Sequence, residues 1–151
     1  MPSSWTQNYY HAVFSTKSRV ASITPDLETR LYPFMVGVLQ DLGCQPILIN
    51  GTADHLHILT RFPADLATAD MLRHVKQRSS KWVHDTFPDL AEFAWQKSYG
   101  GFTVGRSAVE SVTTYIRHQK THHAEPSFTS LAEFLQLLRK HDIEFDPKYI
   151  E

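Results

Sequence analysis

Two histidines separated by a single aliphatic residue are the side chains in this sequence best able to do chemistry. They lie in residues 54–59, which spell DHLHIL. Side chains two positions apart on a β-strand point to the same face, so His55 and His57 would stand side by side and form half of a metal site. With nine histidines in 151 residues, however, chance pairs also arise, and such a pair is more often a surface or packing feature than a ligand set.

The residues around the histidines predict a hairpin that would hold them in place. Leu56 and Ile58 alternate with the histidines and would face the opposite side, into a core. Asn50-Gly51 is a favoured hairpin turn and would join the histidine strand to a strand over residues 44–49. We therefore expect the histidines on a rigid central hairpin.

Length and composition indicate a single globular domain spanning residues 1–151. Apolar residues make up 42% and charged residues 21% of the sequence, which are ordinary globular values. No stretch approaches the roughly 20 apolar residues of a membrane span, and the first residues lack the features of a signal peptide. We expect a soluble, cytoplasmic protein. Its single cysteine, Cys44, excludes an intramolecular disulfide, and its apolar neighbours predict a small buried residue.

The remaining pattern alternates strands and helices. The predicted elements are a strand at 8–16, a helix at 24–43, the two hairpin strands, a helix at 65–86, a strand at 93–105 that Gly100-Gly101 interrupts, a helix at about 107–123, and a C-terminal helix and tail at about 129–151. The two glycines suggest a bulge or a close backbone approach. The order predicts an α+β, ferredoxin-like βαββαβ fold, an antiparallel sheet with helices on one face plus additional C-terminal helices. The first and third strands would be central, and the other face of the sheet would be free.

The second predicted helix has one basic face. Its four basic residues, with no acidic residue between positions 71 and 84, are Arg73, Lys76, Arg78 and Lys81. Such a face can neutralise phosphates, although a charge run is usually a solvated helix surface. Solvated helices normally mix both signs, and this stretch does not, so the two interpretations remain open. The net charge of −1 gives no sign of a polyanionic partner by itself.

The third predicted helix carries a polar and aromatic row. Tyr115, Gln119 and His122 lie at positions i, i+4 and i+7, which share one side of a helix, apart from most of its apolar stripe. A tyrosine in such a place is usually a packing residue. The pattern alone therefore leaves the role of Tyr115 open.

Three motifs together carry a family resemblance. They are YHAVFSTK at residues 10–17, DHLH at 54–57, and YIRHQ at 115–119 with His122-His123 behind it. In this order and spacing they resemble the bacterial single-tyrosine HUH transposases, which move the smallest insertion sequences and include the repeat-associated tyrosine transposases. The resemblance runs from about Tyr9 to Tyr149. The sequence departs from the family at Pro33, inside the first helix, and at Asp142, where such sequences often turn with glycine.

The resemblance implies an enzyme, a transposase that cuts and rejoins single-stranded DNA. By family analogy His55 and His57 are the HUH metal ligands. Tyr115 is then the nucleophile, and Gln119 is a further ligand one helical turn away. The implied cofactor is a divalent metal, Mg²⁺ or Mn²⁺, because a shell completed by phosphate and water oxygens suits these ions. Cleavage would leave a 5′-phosphotyrosine and a free 3′ hydroxyl, and strand transfer would need no nucleotide cofactor.

The implied partner is single-stranded DNA with hairpin ends. The basic second helix would grip the hairpin backbone. Trp95, Tyr99 and Phe102 could stack on exposed bases, although aromatic residues in a strand are more often part of the core.

The family also implies a homodimer, in which Tyr115 of one chain would complete the metal site of the other; a site built within one chain is the alternative. Three glycines shortly before the tyrosine helix, at positions 100, 101 and 105, would permit the hinge that such an exchange needs. Two other classes of function remain open: a non-catalytic DNA-hairpin-binding protein, and a metal-dependent phosphodiesterase that uses activated water. Only the transposase interpretation predicts a covalent protein–DNA adduct.

Overall fold

The chain forms one four-stranded antiparallel sheet in a computed structural model that describes residues 4–150. Residues 1–3 and 151, the ends of the expected domain, lie outside the described residues. The strands are β1 (Asn8–Ser15), β2 (Gln45–Gly51), β3 (His55–Phe62) and β4 (Gly100–Val104). Their order across the sheet is β2-β3-β1-β4, which confirms the ferredoxin-like prediction with β1 and β3 in the centre.

The helices follow the predicted order along residues 4–150. They are α1 (Pro25–Asp41), α2 (Thr68–Thr86), α3 (Val109–Arg117), α4 (Gln119–His122) and α5 (Ser130–Lys140), with short 3-10 segments at Lys17–Arg19, Pro88–Leu90, Arg106–Ala108 and Pro147–Tyr149. Thr24 caps α1 by accepting a hydrogen bond from the Leu27 amide at 3.1 Å, and α1 continues through Pro33. None of the helices in the described part of the chain is long and apolar enough to cross a membrane.

The main hydrophobic core lies between the sheet and the helices α1 and α2. Leu56 and Ile58 of β3 belong to this core, together with Met35 of α1, and are at most 1% exposed, as predicted. Burying one such aliphatic side chain contributes roughly 1.5–3 kcal/mol, so β3 is firmly anchored. Cys44 is also buried in this core, with Sγ 3.7 Å from Sδ of Met71, which confirms its role as a small packing residue.

The opposite face of the sheet is covered by the C-terminal helices, so the expectation of a free face is wrong. Val109 and Ile116 of α3 pack with Leu59 of β3. Phe134 of α5 packs with Phe102 of β4. The apolar stripes of these helices need a surface to bury against, and this face of the sheet provides it. The histidines of β3 are therefore enclosed between sheet and helices.

β4 is shorter than predicted. Of the expected residues 93–105, only Gly100–Val104 forms a ladder with β1. Trp95 makes a single isolated bridge to Thr16 and belongs to the main core. The apolar residues that suggested a continuous strand are therefore buried by the core rather than by the sheet.

Two glycines in β4 are required by the close approach of large side chains. A Cβ atom on Gly100 would lie 2.7 Å from Cε1 of Phe134, and one on Gly101 would lie 1.7 Å from the hydroxyl oxygen of Tyr10. This confirms the predicted close approach of the backbone. Because both glycines are paired within the sheet, they do not provide the expected hinge.

The turn between β2 and β3 lies later than the sequence predicted. Gly51 ends β2, and residues 52–54 make the turn. A Cβ atom on Gly51 would lie 2.2 Å from the backbone oxygen of His55, so the glycine permits close strand contact. The Asn50 side chain donates to the last two carbonyl oxygens of α3, at 2.9 and 3.2 Å. The hairpin thereby holds the end of the helix that carries Tyr115.

Candidate metal and tyrosine site

His55 and His57 lie side by side on β3 and point toward the C-terminal helices. They are 1% and 0% exposed, respectively. The Nε2 atom of each lies 3.0 Å from Oε1 of Glu133. The predicted alternation of the strand is confirmed, but the histidines face a closed cluster and not an open groove.

Glu133 on α5 is the residue of the cluster that sequence reasoning missed. It is completely buried, and its Oε1 atom also lies 2.9 Å from Nε2 of His123. Burial opposes the charged carboxylate, but hydrogen bonds from three histidines, first among them His123, keep the pKa of Glu133 well below its usual range. One signal was present in the sequence: Glu133 falls on the buried stripe of α5, one turn before Leu137. A carboxylate at such a position needs buried partners.

Tyr115 and Gln119 reach the same cluster. The single helix expected at 107–123 is divided at His118, so Tyr115 lies in α3 and Gln119 begins α4. Gln119 Oε1 lies 2.9 Å from His55 Nε2, and Gln119 Nε2 donates to Glu133 Oε2 at 2.7 Å. The Tyr115 hydroxyl donates to the same oxygen, Glu133 Oε2. Burial and the negative charge of Glu133 raise the pKa of Tyr115, so the hydroxyl needs nearby positive charge before it can become a nucleophile.

The Nδ1 atom of each strand histidine contacts a second side chain, on the side of the ring away from the cluster. His55 Nδ1 lies 3.0 Å from Asp54 Oδ1, and His57 Nδ1 lies 2.8 Å from His11 Nε2. Burial acts against the charged form of His55, but hydrogen bonds to Asp54 and Glu133 raise its pKa to about 9. Burial lowers the pKa of His57, and burial beside His57 lowers the pKa of His11 to about 3. These outer contacts fix the rings and leave both Nε2 atoms directed into the cluster.

Four donor atoms converge in a way that fits a divalent cation. They are His55 Nε2, His57 Nε2, Gln119 Oε1 and Glu133 Oε1. The two imidazole nitrogens and the Glu133 carboxylate oxygen all lie within 4.8 Å of one another. Contacts of 2.9 and 3.0 Å match the roughly 3.0 Å between neighbouring ligands of an octahedral ion with bonds of about 2.1 Å. The amide and carboxylate oxygens add the donors that Mg²⁺ or Mn²⁺ prefers to imidazole alone.

The four predicted DNA-binding residues lie on α2, across the sheet from this cluster. Three of them have acidic partners: Arg73–Asp70 at 3.3 Å, Arg78–Asp41 at 2.9 Å and Lys81–Asp85 at 2.6 Å. The fourth, Lys76, donates to the backbone oxygens of residues 97 and 98. Asp70 and Asp85 border the basic stretch at helical spacing from Arg73 and Lys81, so the sequence could have indicated these two pairs. Asp41 comes from α1, and its contact with Arg78 depends on the fold.

The three aromatic residues considered for base stacking belong mainly to the core. Trp95 is 8% exposed, and its Nε1 donates to Ser79 Oγ at 2.9 Å. Phe102 is 2% exposed, and Tyr99 packs at the border of the main core. The packing interpretation is therefore confirmed for Trp95 and Phe102.

All residues of the cluster belong to the same chain. Tyr115 and Gln119 contact the Glu133 and His55 side chains of their own chain. The exchange of Tyr115 between two chains is therefore not needed to assemble the site.

A ferredoxin-like sheet that places a tyrosine beside a cluster of metal-type ligands is the arrangement that the resemblance implied. Comparison with known proteins supplies the family. A family model described as "Transposase IS200 like" matches residues 4–119. The chain therefore belongs to the IS200-like transposase family, and it is an enzyme of DNA transposition. The match includes both strand histidines, Tyr115 and Gln119 but ends before Glu133.

Individual relatives agree with this family. The transposase for insertion sequence element IS200 of Salmonella typhimurium is 25% identical over 116 residues, which cover 73% of this chain and 75% of that protein. A structure from Deinococcus radiodurans R1, described as a candidate transposase, has a TM-score of 0.66 and 19% identity, covering 79% of this chain and 95% of that one. A REP-associated tyrosine transposase bound to a REP hairpin has a TM-score of 0.62 and 13% identity, covering 82% and 73%. The two structures share the fold.

Proposed function

We propose that this transposase cleaves single-stranded DNA with Tyr115 as the nucleophile and then rejoins it to another 3′ hydroxyl. The observation that carries the proposal is the convergence of Tyr115 and Gln119 on the buried histidines His55 and His57 through Glu133. A hydroxyl beside such a ligand set has the parts that phosphoryl transfer requires, namely a nucleophile, a hydrogen-bond acceptor that orients it and a place for a cation.

The side chains that would hold a divalent ion are His55, His57, Gln119 and Glu133. We propose Mg²⁺ or Mn²⁺ on the strength of the oxygen donors in this set. Such an ion, when bound, stabilises negative charge on the phosphate oxygens and on the tyrosine oxygen during the reaction. The hydrogen bonds from Asp54 and His11 keep the histidine rings oriented for that task.

The residues of the chain move the phosphoryl group. Glu133 Oε2 accepts the hydrogen bond of the Tyr115 hydroxyl and so orients it. Because the pKa of Glu133 is held well below its usual range, water and not Glu133 takes the hydroxyl proton as the tyrosine oxygen attacks phosphorus. A bond forms between that oxygen and phosphorus, the bond from phosphorus to the 3′ oxygen breaks, and the leaving oxygen takes a proton from water. The product is a 5′-phosphotyrosine. Attack by a second 3′ hydroxyl reverses the exchange and frees Tyr115, so no nucleotide cofactor is consumed.

We propose that the DNA substrate carries hairpin ends. Support comes from the solved relative, which is bound to a REP hairpin. Arg73, Arg78 and Lys81 are exposed on α2 and are proposed to exchange their acidic partners for DNA phosphates. Lys76 is proposed to contribute both by charge and by holding the segment of residues 97 and 98.

A homodimer in the cytoplasm is proposed as the working unit. Of the two edge strands, β2 carries Pro46 and a register irregularity between Pro46 and Leu48, both of which hinder further pairing. The β4 edge is therefore the better candidate for pairing with a second copy across a two-fold axis.

The test is to incubate the protein with single-stranded DNA from the flanks of its own gene, labelled at the 3′ end, together with Mg²⁺. A 5′-phosphotyrosine retains the 3′ segment, so the label should run with the denatured protein. Tyr115→Phe should abolish this adduct and keep DNA binding. Tyr149→Phe, a matched change at a tyrosine that is 72% exposed, should leave it intact.

The outcome also separates the other classes of function. Cleavage that persists in Tyr115→Phe would support a phosphodiesterase that uses water. Binding of DNA hairpins without cleavage or adduct in the wild-type protein would support a binding protein that lacks catalysis.

A further inference from the structure

A cavity of about 450 Å³ lies beside Tyr115, between β4, α3 and α5. Tyr115 and His11 form the part of its wall nearest the metal-type cluster, and Phe102 contributes an apolar wall. Its volume lies within the range of roughly 300–1,000 Å³ that is usual for small-molecule sites. The cavity is thus large enough for one unit of a polymer held next to the tyrosine.

The charges around this cavity favour an anion. The ionisable groups along its wall, apart from Tyr115, are His11, Lys140 and His141, and no acidic side chain is found among the described residues that line it. A second cavity, of about 440 Å³, borders Asp54 and His123 on the other side of the cluster and includes three carboxylates and one lysine in its wall. A phosphate group would therefore be favoured in the cavity beside Tyr115 and disfavoured in the other.

With a metal ion on His57 Nε2, His11 would offer this cavity a hydrogen-bond donor. It is 4% exposed, and its Nε2 lies 2.8 Å from Nδ1 of His57. If His57 uses Nε2 as a metal ligand, its proton lies on Nδ1 and is donated to His11 Nε2, so the proton of neutral His11 lies on Nδ1. The structure gives His11 Nδ1 no hydrogen-bond partner within residues 4–150.

Lys140 and the aromatic wall complete the donor set. Unlike Arg73, Arg78 and Lys81 of α2, Lys140 makes no ion pair within the described chain, and it lies in the last turn of α5. His141 stacks on Phe102 with ring centroids 4.1 Å apart and planes inclined by 20°. The exposed His141 ring extends an aromatic surface on which a nucleobase can stack.

We propose that this cavity binds the DNA nucleotide next to the scissile phosphate. One of its phosphate oxygens is held by His11 Nδ1–H and the Lys140 amine, and its base stacks on the exposed ring of His141, which Phe102 supports from beneath. The inference rests on the proposed function, since it takes a DNA strand as the ligand. It adds a site that binds any sequence, because the contacts are to phosphate and to the face of a base.

The first test measures binding of a fluorescent octathymidylate to the full chain with Mg²⁺ over a range of NaCl concentrations. Lys140→Gln should weaken binding by about tenfold and flatten the slope of log K against log[NaCl] by about 0.7, the value for one lost contact to a single strand. Arg139→Gln removes the same charge one residue away, outside the cavity, and should leave the slope unchanged. An equal loss in both variants, or a loss in neither, would overturn the proposal.

The second test locates the contact through the histidine rings. With ¹⁵N-histidine in the protein, saturating octathymidylate should shift the ring signals of His11 and His141 in the wild type and in Arg139→Gln. At an oligonucleotide concentration equal to the wild-type Kd, where occupancy follows affinity, Lys140→Gln should show clearly smaller shifts than either of these proteins. If only His118 and His122, which do not line the cavity, respond, the nucleotide is elsewhere and the proposal fails.

Failure of this inference can be told apart from failure of the proposed function. An adduct on Tyr115 combined with DNA binding that does not depend on Lys140 would refute the proposed nucleotide site and support the cleavage chemistry. DNA binding that depends on Lys140, without any adduct, would support a phosphate-binding cavity and refute the tyrosine mechanism.

Discussion

A single carboxylate, Glu133, contacts both strand histidines and the hydroxyl of Tyr115. The sequence could predict the histidines because strand periodicity and a motif mark them. The family resemblance pointed to Tyr115 and Gln119, whose helical spacing alone left their role open. Glu133 carries no motif and lies 14 positions beyond Gln119. Helical periodicity could place Glu133 on the buried face of α5, but the groups that it meets there depend on how α5 packs against the sheet.

Glu133 should contribute directly to metal binding. Glu133→Gln keeps the shape of the side chain but removes its charge, so the affinity for Mn²⁺ should fall by about tenfold or more. Isothermal titration calorimetry at one pH measures the change. Glu144→Gln, the same substitution at an exposed position of the C-terminal tail, should bind Mn²⁺ as the wild type does. Equal affinities in the two variants would show that Glu133 only packs beside the histidines.

The elements were largely predictable, whereas the surfaces that they cover were not. Hydrophobic periodicity located the helices and the central hairpin, and the order of the elements predicted the strand order β2-β3-β1-β4. The same periodicity could not show that α3 and α5 cover the second face of the sheet. An apolar stripe shows that a helix face will be buried but not against which surface it will pack. It also extended β4 too far, since core residues such as Trp95 resemble strand residues in sequence.

Gly101 and Gly105 precede α3, the helix that carries Tyr115, and they should differ sharply in their tolerance of a side chain. Gly101→Ala would place Cβ 1.7 Å from the Tyr10 hydroxyl, and the forced shift should destabilise the fold by about 1–3 kcal/mol. Gly105 has no atom within 4 Å of such a Cβ and an extended backbone at φ −71°, ψ 151°. Gly105→Ala should therefore change stability by less than about 1 kcal/mol.

Urea unfolding of the three proteins, followed by circular dichroism, gives the comparison. If Gly101→Ala proved as stable as Gly105→Ala, the close packing of β4 against Tyr10 would be wrong, and Gly101 would again be a candidate hinge.

For the molecule as a whole, the sheet separates two regions with different tasks. The main core and the basic helix α2 lie on one side, and the cluster of Tyr115 with the histidines lies on the other. The sequence predicted the two sets of residues but not their separation, because that depends on which face each strand residue takes after the sheet has formed. DNA that contacts both regions must pass around an edge of the sheet.

A site built within one chain has a consequence for mixed dimers. His57→Ala lacks a proposed metal ligand and Tyr115→Phe lacks the proposed nucleophile, so each should be inactive alone. Mixing them should restore no adduct, because neither chain contains a whole site. Affinity tags on the two variants should be used to confirm that heterodimers are present. Recovery of adduct in proportion to the heterodimer would show that Tyr115 serves the histidines of a partner.

The central claim, a covalent bond between DNA and Tyr115, is tested most directly by locating the adduct. The protein is allowed to react with single-stranded DNA and Mg²⁺, and is then digested with nuclease and trypsin for mass spectrometry. Trypsin releases residues 107–117, SAVESVTTYIR, which contain one tyrosine. The account predicts a nucleotide attached through its 5′ phosphate to Tyr115 in this peptide, and only when Mg²⁺ is present. DNA cleavage with this peptide unmodified, or with the nucleotide on another residue, would contradict it.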